Sequence, residues 1–262
     1  MQELSTGIHM TDKLFDINEG GYSIRCKLYC SNPGAVKRAV IFGHGFGGHK
    51  DNRAAEKFAG KIISKHKDVG VVTFNWPCHG DDARKNLLLG ECDTYLGLVI
   101  SFVKKWFETE EIYAYATSFG GYLFLKYIAE HGNPFRKVAL RCPAIRMYES
   151  ITNRIMTEDN REKISKGKPV LVGFDRKIKI SRDFLEDLKA ADITKYDYMP
   201  YADDILILHG TKDEVIPFND SADFADNNVI EFMPVENADH RFTDPKTMDL
   251  AIHSIIEFMN LS

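Results

Sequence analysis

The sequence predicts an α/β fold built on a mostly parallel sheet flanked by helices, interrupted once by a small inserted cap. Short apolar runs at residues 39–42, 71–74, 112–115, 138–140 and 205–208 alternate with segments of helical spacing, and strands that alternate with helices build a parallel sheet. The alternation breaks between about Pro143 and Pro200, a gap too long for a bare loop.

Taken in order, residues 22–29 alternate as a half-buried strand with Asn32-Pro33-Gly34 as turn chemistry directly after it, which suggests an antiparallel edge at the amino end. Helices are expected over 52–66, 94–107, 119–131, 221–226 and 245–259, the last placing Met248, Ile252, Ile255, Ile256 and Met259 on one side. Inside the gap, residues 169–173 and 178–180 flank Phe174-Asp175-Arg176-Lys177 as a hairpin, and Ser181 caps a helix reaching Leu188. Residues 1–142 and 201–262 are therefore expected to form the core domain, and 143–200 a cap, or lid, after the sixth strand. Basic residues outnumber acidic ones over 141–190; a solvated face explains this as readily as attraction of an anionic substrate.

At 262 residues with a formal charge of -4, the chain suits one large domain and lacks the basic stripe that a nucleic acid requires. No run of about 18 apolar residues suggests a membrane span, and Met1 to Met10 has neither the basic flank nor the apolar stretch of a signal peptide. A cytoplasmic protein is expected, and a homodimer is compatible with the sequence. The five cysteines, Cys26, Cys30, Cys78, Cys92 and Cys142, are odd in number and scattered, which reads as free, mostly buried thiols.

The chemistry centres on Tyr113-Ala114-Tyr115-Ala116-Thr117-Ser118-Phe119-Gly120-Gly121, where a strand runs into a serine and a helix starts at once. A nucleophilic serine on such a sharp turn needs small neighbours two residues before and after it, and Ala116 and Gly120 meet that need. Taken alone, Ser118 could instead be an ordinary helix cap.

Two later segments change this. Asp213 follows the apolar run 205–208 within His209-Gly210-Thr211-Lys212-Asp213-Glu214-Val215-Ile216-Pro217, and His240 lies in Glu236-Asn237-Ala238-Asp239-His240-Arg241-Phe242 after the apolar run 229–235. Serine, then acid, then histidine is the chain order of α/β-hydrolases. In such a triad His240 takes the Ser118 proton, while Asp213 fixes its tautomer and stabilises the imidazolium. Glu214 and Asp239 are the rivals for the acid role; Asp213 is preferred because it comes first after the strand.

The glycine-rich run His44-Gly45-Phe46-Gly47-Gly48 lets backbone N–H groups approach a ligand. In this fold an oxyanion is held by one amide from that loop and one from the residue after the nucleophile, here Phe46 and Phe119. As a phosphate loop the run lacks the Gly-Lys-Ser/Thr ending. Trp76-Pro77-Cys78-His79-Gly80-Asp81-Asp82 fits no metal spacing, so His79 reads as a structural loop residue. No metal and no cofactor are expected.

Together the His44–Gly48, Thr117–Gly121, His209–Asp213 and Ala238–Phe242 segments resemble bacterial α/β-hydrolase carboxylesterases, especially the intracellular cinnamoyl and feruloyl esterases. The likeness spans nearly the whole chain, including Ile180-Ser181-Arg182-Asp183-Phe184-Leu185-Glu186-Asp187 after the cap hairpin. It departs at Ala116 and Thr117, where many relatives have Gly and His. The resemblance implies the α/β-hydrolase fold and a serine carboxylesterase that cleaves a small-molecule ester, such as a hydroxycinnamoyl ester, through an acyl-Ser118 intermediate. The same machinery would serve a peptidase, thioesterase, lysophospholipase or acyltransferase, and a non-catalytic binding protein is a further alternative.

Overall fold

The computed structural model describes residues 10–173 and 176–261. Phe174 and Asp175 of the expected hairpin turn lie outside the described residues, as do residues 1–9. Among the described residues the main sheet has eight strands, in the order β1-β2-β4-β3-β5-β6-β9-β10. These are β1 (Thr11–Glu19), β2 (Tyr22–Cys30), β3 (Arg38–Gly43), β4 (Val69–Phe74), β5 (Ile112–Thr117), β6 (Val138–Arg141), β9 (Ile205–Gly210) and β10 (Glu231–Val235). β1 pairs antiparallel with β2 and β2 with β4, and the remaining pairings are parallel. The expected amino-terminal edge is thus corrected: 22–29 is the second strand, and β1 is the edge.

The central strands read as continuous apolar runs because both faces are buried. Along β3, Ala39 and Ile41 join one core while Val40 and Phe42 join the other; along β5, Ile112, Ala114 and Ala116 part from Tyr113 and Tyr115 in the same way. This period of two follows from the pleat. The first core packs under α2 (Leu89–Phe107), α3 (Phe119–His131) and α7 (Phe218–Asn228), the second under α1 (Arg53–Lys65) and α8 (Pro245–Met259). Helix starts follow cap chemistry: Asn52 Oδ1 accepts from Ala54 and Ala55 N, and Asp244 accepts from Lys246 N ahead of Pro245 at the first helical turn.

Residues 143–200 hold α4 (Met147–Glu149), a π-helical turn through Ile155, α5 (Glu158–Ser165), the antiparallel pair β7 (Val170–Val172) and β8 (Ile178–Ile180), and α6 (Arg182–Ala190). Ser181 Oγ accepts from Phe184 N at the start of α6. This segment is tied to α3 through Tyr122 Oη, which donates to Ala191 O at 2.8 Å. No helix among the described residues is long and apolar enough to cross a membrane.

The consequence for function is positional. The carboxyl ends of β3, β5, β6, β9 and β10 lead respectively into the His44–Gly48 loop, Ser118, the 143–200 segment, the Asp213 loop and the His240 loop. Parallel strands put all five on one rim, the place where open α/β sheets bind ligands.

Candidate active site

Ser118 leaves β5 with φ 52 and ψ -118, a left-handed backbone that a serine occupies only when its surroundings impose it. Those surroundings are visible. Its N–H donates to Arg141 O at 3.1 Å, and its carbonyl accepts from Tyr122 N and Ala144 N, both at 3.1 Å. A Cβ on Gly120 would stand 2.5 Å from Gly43 O and 2.7 Å from His44 O, so only glycine lets α3 start this close to β3. Ala116 is fully buried in register with Gly43, and its methyl joins the core. The Ser118 side chain makes no cap bond to α3, which removes the helix-cap reading.

Its hydroxyl instead meets His240, with Nε2 at 3.1 Å from Oγ. His240 Nδ1 lies 2.7 Å from Asp213 Oδ2, and Asp213 Oδ1 accepts from Val215 N and Ile216 N at 2.8 Å each. The Asp213 side chain is fully buried. Burial by itself pushes this carboxyl up, yet hydrogen bonds from His209 and His240, the His240 charge and the Ile216 amide outweigh it and hold Asp213 well below the usual carboxylate range. The rivals point elsewhere: Glu214 Oε2 accepts from His240 N at 3.5 Å, and Asp239 accepts from Thr243 N and its hydroxyl. The two loops meet because Gly210 has no Cβ, which would stand 2.3 Å from Ala238 O.

The glycine-rich loop is pinned at both ends to the turn after β4. His44 Nε2 accepts from Trp76 N at 3.4 Å, Trp76 Nε1 donates to His44 O at 2.9 Å, and Lys50 N donates to Asn75 Oδ1 at 2.7 Å. Burial keeps the His44 imidazole neutral, far below its ordinary pKa. A Cβ on Gly45 would stand 3.1 Å from the Ser118 Cβ, so the loop lies against the serine. Phe119 is the first residue of α3, where N–H groups lack an intrahelical acceptor and the helix dipole favours negative charge. The Phe46 and Phe119 rings pack edge to face at 5.6 Å, with His79 stacked on Phe119 at 6.2 Å and Phe184 edge-on at 6.5 Å. From the 143–200 segment, the Arg176 carbonyl comes within 2.8 Å of where a Gly47 Cβ would stand.

Among the described residues, two groups of donors have metal-like spacing. Cys142, Asp213 and His240 converge, but burial holds the Cys142 thiol protonated and the other two are bonded to each other. Asp93, Glu130 and His131 form the second group, and the Lys126 ammonium already bridges Asp93 and Glu130. All five cysteines are free, four of them buried. A hollow of about 530 Å³ lined by Asp203, Asp226 and Glu231 opens at the amino ends of β9 and β10, opposite the rim that carries Ser118.

His209 is the residue that sequence reasoning passed over. It is fully buried, with Nε2 3.1 Å from Asp213 Oδ2 and Nδ1 2.8 Å from Ser221 Oγ. The only signal was its place four residues before the acid.

Sheet order, crossover helices and the rim of loops define the α/β-hydrolase fold. The sequence model of the prolyl oligopeptidase family matches residues 99–261, a span that holds Ser118, Asp213 and His240. The chain belongs to that family. No curated protein sequence matches it. Among solved structures, Est1E from Butyrivibrio proteoclasticus, in a structure with ferulic acid bound, superposes with a TM-score of 0.73 at 20% identity, covering 94% of this chain and 98% of that one. Alpha/beta hydrolase domain-containing protein 10 from mouse gives 0.71 at 15% identity, covering 95% and 98%. The Pyrococcus furiosus esterase Pf2001 gives 0.68 at 13% identity, covering 96% and 92%.

Proposed function

We propose that the protein is a serine carboxylesterase that cleaves a small ester, with Ser118 as nucleophile, His240 as general base and acid, and Asp213 as its orienting carboxylate. The observation that carries this reading is the chain of contacts from Ser118 Oγ to His240 Nε2 at 3.1 Å and from His240 Nδ1 to Asp213 Oδ2 at 2.7 Å. As Oγ attacks the ester carbonyl, its proton passes to Nε2, and the imidazolium so formed faces the buried Asp213 charge. The carbonyl oxygen, now an oxyanion, is taken up by the Phe46 and Phe119 amides, each such donor being worth about 3 kcal/mol in the transition state. His240 returns the proton to the departing alkoxide, and water, deprotonated by the same nitrogen, releases the acid from Ser118.

Residues 143–200 act as a cap over this rim in the same reading. We take the acyl group to be planar and aromatic, of the hydroxycinnamoyl type, with the partly exposed Phe46 ring of the glycine-rich loop as the aromatic surface open to it, whereas His79, Phe119 and Phe184 are buried against one another. Ferulic acid bound to Est1E supports the same substrate class. A second reading, cleavage of peptide amides, is favoured by membership of the prolyl oligopeptidase family.

A panel of methyl hydroxycinnamates, p-nitrophenyl alkanoates and prolyl p-nitroanilides separates the two. Serine-dependent turnover that is faster on hydroxycinnamates than on short alkanoates is expected. Faster turnover of the anilides would replace the esterase reading with the peptidase one, and ester turnover without aromatic preference would remove the substrate class alone.

A further inference from the structure

We infer that His209 is a positioning residue for the Asp213–His240 pair, its Nε2–H shared between the carboxylate that orients the base and the Ile216 carbonyl of the same loop. The inference rests on the proposed roles of Ser118, Asp213 and His240 and extends them by one residue.

Both ring nitrogens of His209 have partners, and the partners fix its tautomer. Nε2 faces Asp213 Oδ2 at 3.1 Å and Ile216 O at 3.2 Å. Both of these oxygens only accept, so Nε2 carries the proton. Nδ1 faces the Ser221 hydroxyl at 2.8 Å, which donates to it. A neutral imidazole satisfies this pattern with one N–H and one lone pair. Asp213 Oδ2 therefore meets both imidazoles, His240 Nδ1 at 2.7 Å and His209 Nε2 at 3.1 Å, the latter sharing its one N–H with Ile216 O, while Oδ1 receives the Val215 and Ile216 amides. A carboxylate held by three hydrogen bonds with a second imidazole against Oδ2 is fixed in orientation.

The loop's tight turn is closed without His209, since Asp213 N donates to Gly210 O at 3.1 Å and Oδ1 holds the next two amides, while His209 Nε2 reaches the loop further on at Ile216 O. Other titratable groups lie near the pair. Cys142 approaches from β6, Glu214 lies on the Asp213 loop, and Asp239 and Arg241 flank His240 on its own loop. On the α7 side, His209 meets Ser221 and the edge-on Phe218 ring at 5.7 Å, and Asp220 pairs with Arg146 at 3.6 Å. All of these persist when His209 alone is changed.

The two donors divide the Asp213 charge between them. With one removed, the charge concentrates on the bond to His240 and favours its protonated ring, so the acid limb of the rate profile moves to higher pH. The test compares wild type, His209→Leu, which has similar volume and no donor, and His209→Gln, which restores an N–H. The readouts are kcat and KM on a p-nitrophenyl ester and the pH dependence of Ser118 labelling by a fluorophosphonate.

His209→Leu is expected to lose roughly tenfold to a hundredfold in kcat at unchanged KM, with the acid limb of labelling raised by roughly half a pH unit. His209→Gln is expected to return both toward wild type. A folded His209→Leu protein with wild-type kcat and acid limb would overturn the inference, as would a Gln variant impaired as much as Leu. Should the Leu variant not fold, Ser221→Ala, which removes the hydroxyl that fixes Nδ1, is expected to move the acid limb the same way by less, and an unmoved limb overturns the inference. Ser118→Ala and Asp213→Asn run beside these variants. Undiminished hydrolysis in them would end the triad reading itself, whereas loss in them with normal His209 variants would end the role of His209 alone.

Discussion

Lowering the pH from 7 to 4 should cost the fold roughly 3 kcal/mol through His79 alone. The ring is fully buried. Its Nδ1 lies 2.8 Å from Pro77 O, so Nδ1 holds the proton, and Nε2 is buried with no hydrogen-bond partner among the described residues. Burial, the largest cause, takes the pKa from 6.5 down to about 4, against the opposing pull of the Pro77 carbonyl and Asp82. Because the folded value is the lower one, the unfolded chain binds the proton first as pH falls. Stability is therefore full above about pH 6.5 and falls until about pH 4, where the folded ring protonates as well. The gap from 6.5 to about 4, at about 1.4 kcal/mol per pH unit, gives the figure above. His79→Asn keeps a donor for Pro77 and removes the titration. Urea unfolding followed by far-UV circular dichroism at pH 7, 6, 5 and 4 should show wild type losing roughly 3 kcal/mol relative to the variant. His44, whose ring centroid is 5.3 Å away, remains in both proteins and largely cancels in the difference. Parallel curves for the two proteins would refute the reasoning.

Three further outcomes are expected. Asp213→Asn should lower kcat on a p-nitrophenyl ester by roughly 10³- to 10⁴-fold with little change in KM, because the amide presents a donor or a weaker acceptor to His240 Nδ1; steady-state kinetics read this directly. Gly210→Ala puts a methyl 2.3 Å from Ala238 O, which forces the Asp213 and His240 loops apart; a loss of roughly a hundredfold in kcat and a lower Tm are expected, measured by kinetics and a thermal melt. Gly60→Ala, in the middle of α1 with nothing within 4 Å of the new methyl, should raise stability by about 0.5–1 kcal/mol, read from the urea midpoint with activity unchanged.

What could be read from the sequence follows from how local each signal is. The five central parallel strands stood out because both faces are buried, and Phe119–His131 and Pro245–Met259 kept their expected bounds because serine and proline mark where each begins. β1 was missed: Thr11–Glu19 buries only Ile17, so its alternation is faint and its place is set by pairing with β2. The helices between Met147 and Ser165 were missed for a related reason, since α5 buries only Ile164. α2 begins at Leu89, five residues before the expected start at Thr94, where Gly90 and the acidic residues break the apolar pattern.

Within the candidate site, the convergence of Ser118, Asp213 and His240 was legible because each stands in the segment that follows a strand end. The anchoring of the glycine-rich loop by Asn75 and Trp76 was not, because those contacts span 25 and 32 residues. His209 was hidden differently. It stood inside a quoted motif, but its bond to Asp213 exists only once the loop folds back on β9.

The central claim, that Ser118 is the activated nucleophile of an ester hydrolase, is tested most directly by fluorophosphonate labelling followed by peptide mass mapping, with residual ester hydrolysis measured alongside. One adduct per chain, on Ser118, formed in step with the loss of hydrolysis and absent from Ser118→Ala and His240→Ala, is the expected result. An adduct on another residue, or full hydrolysis by Ser118→Ala, would contradict it.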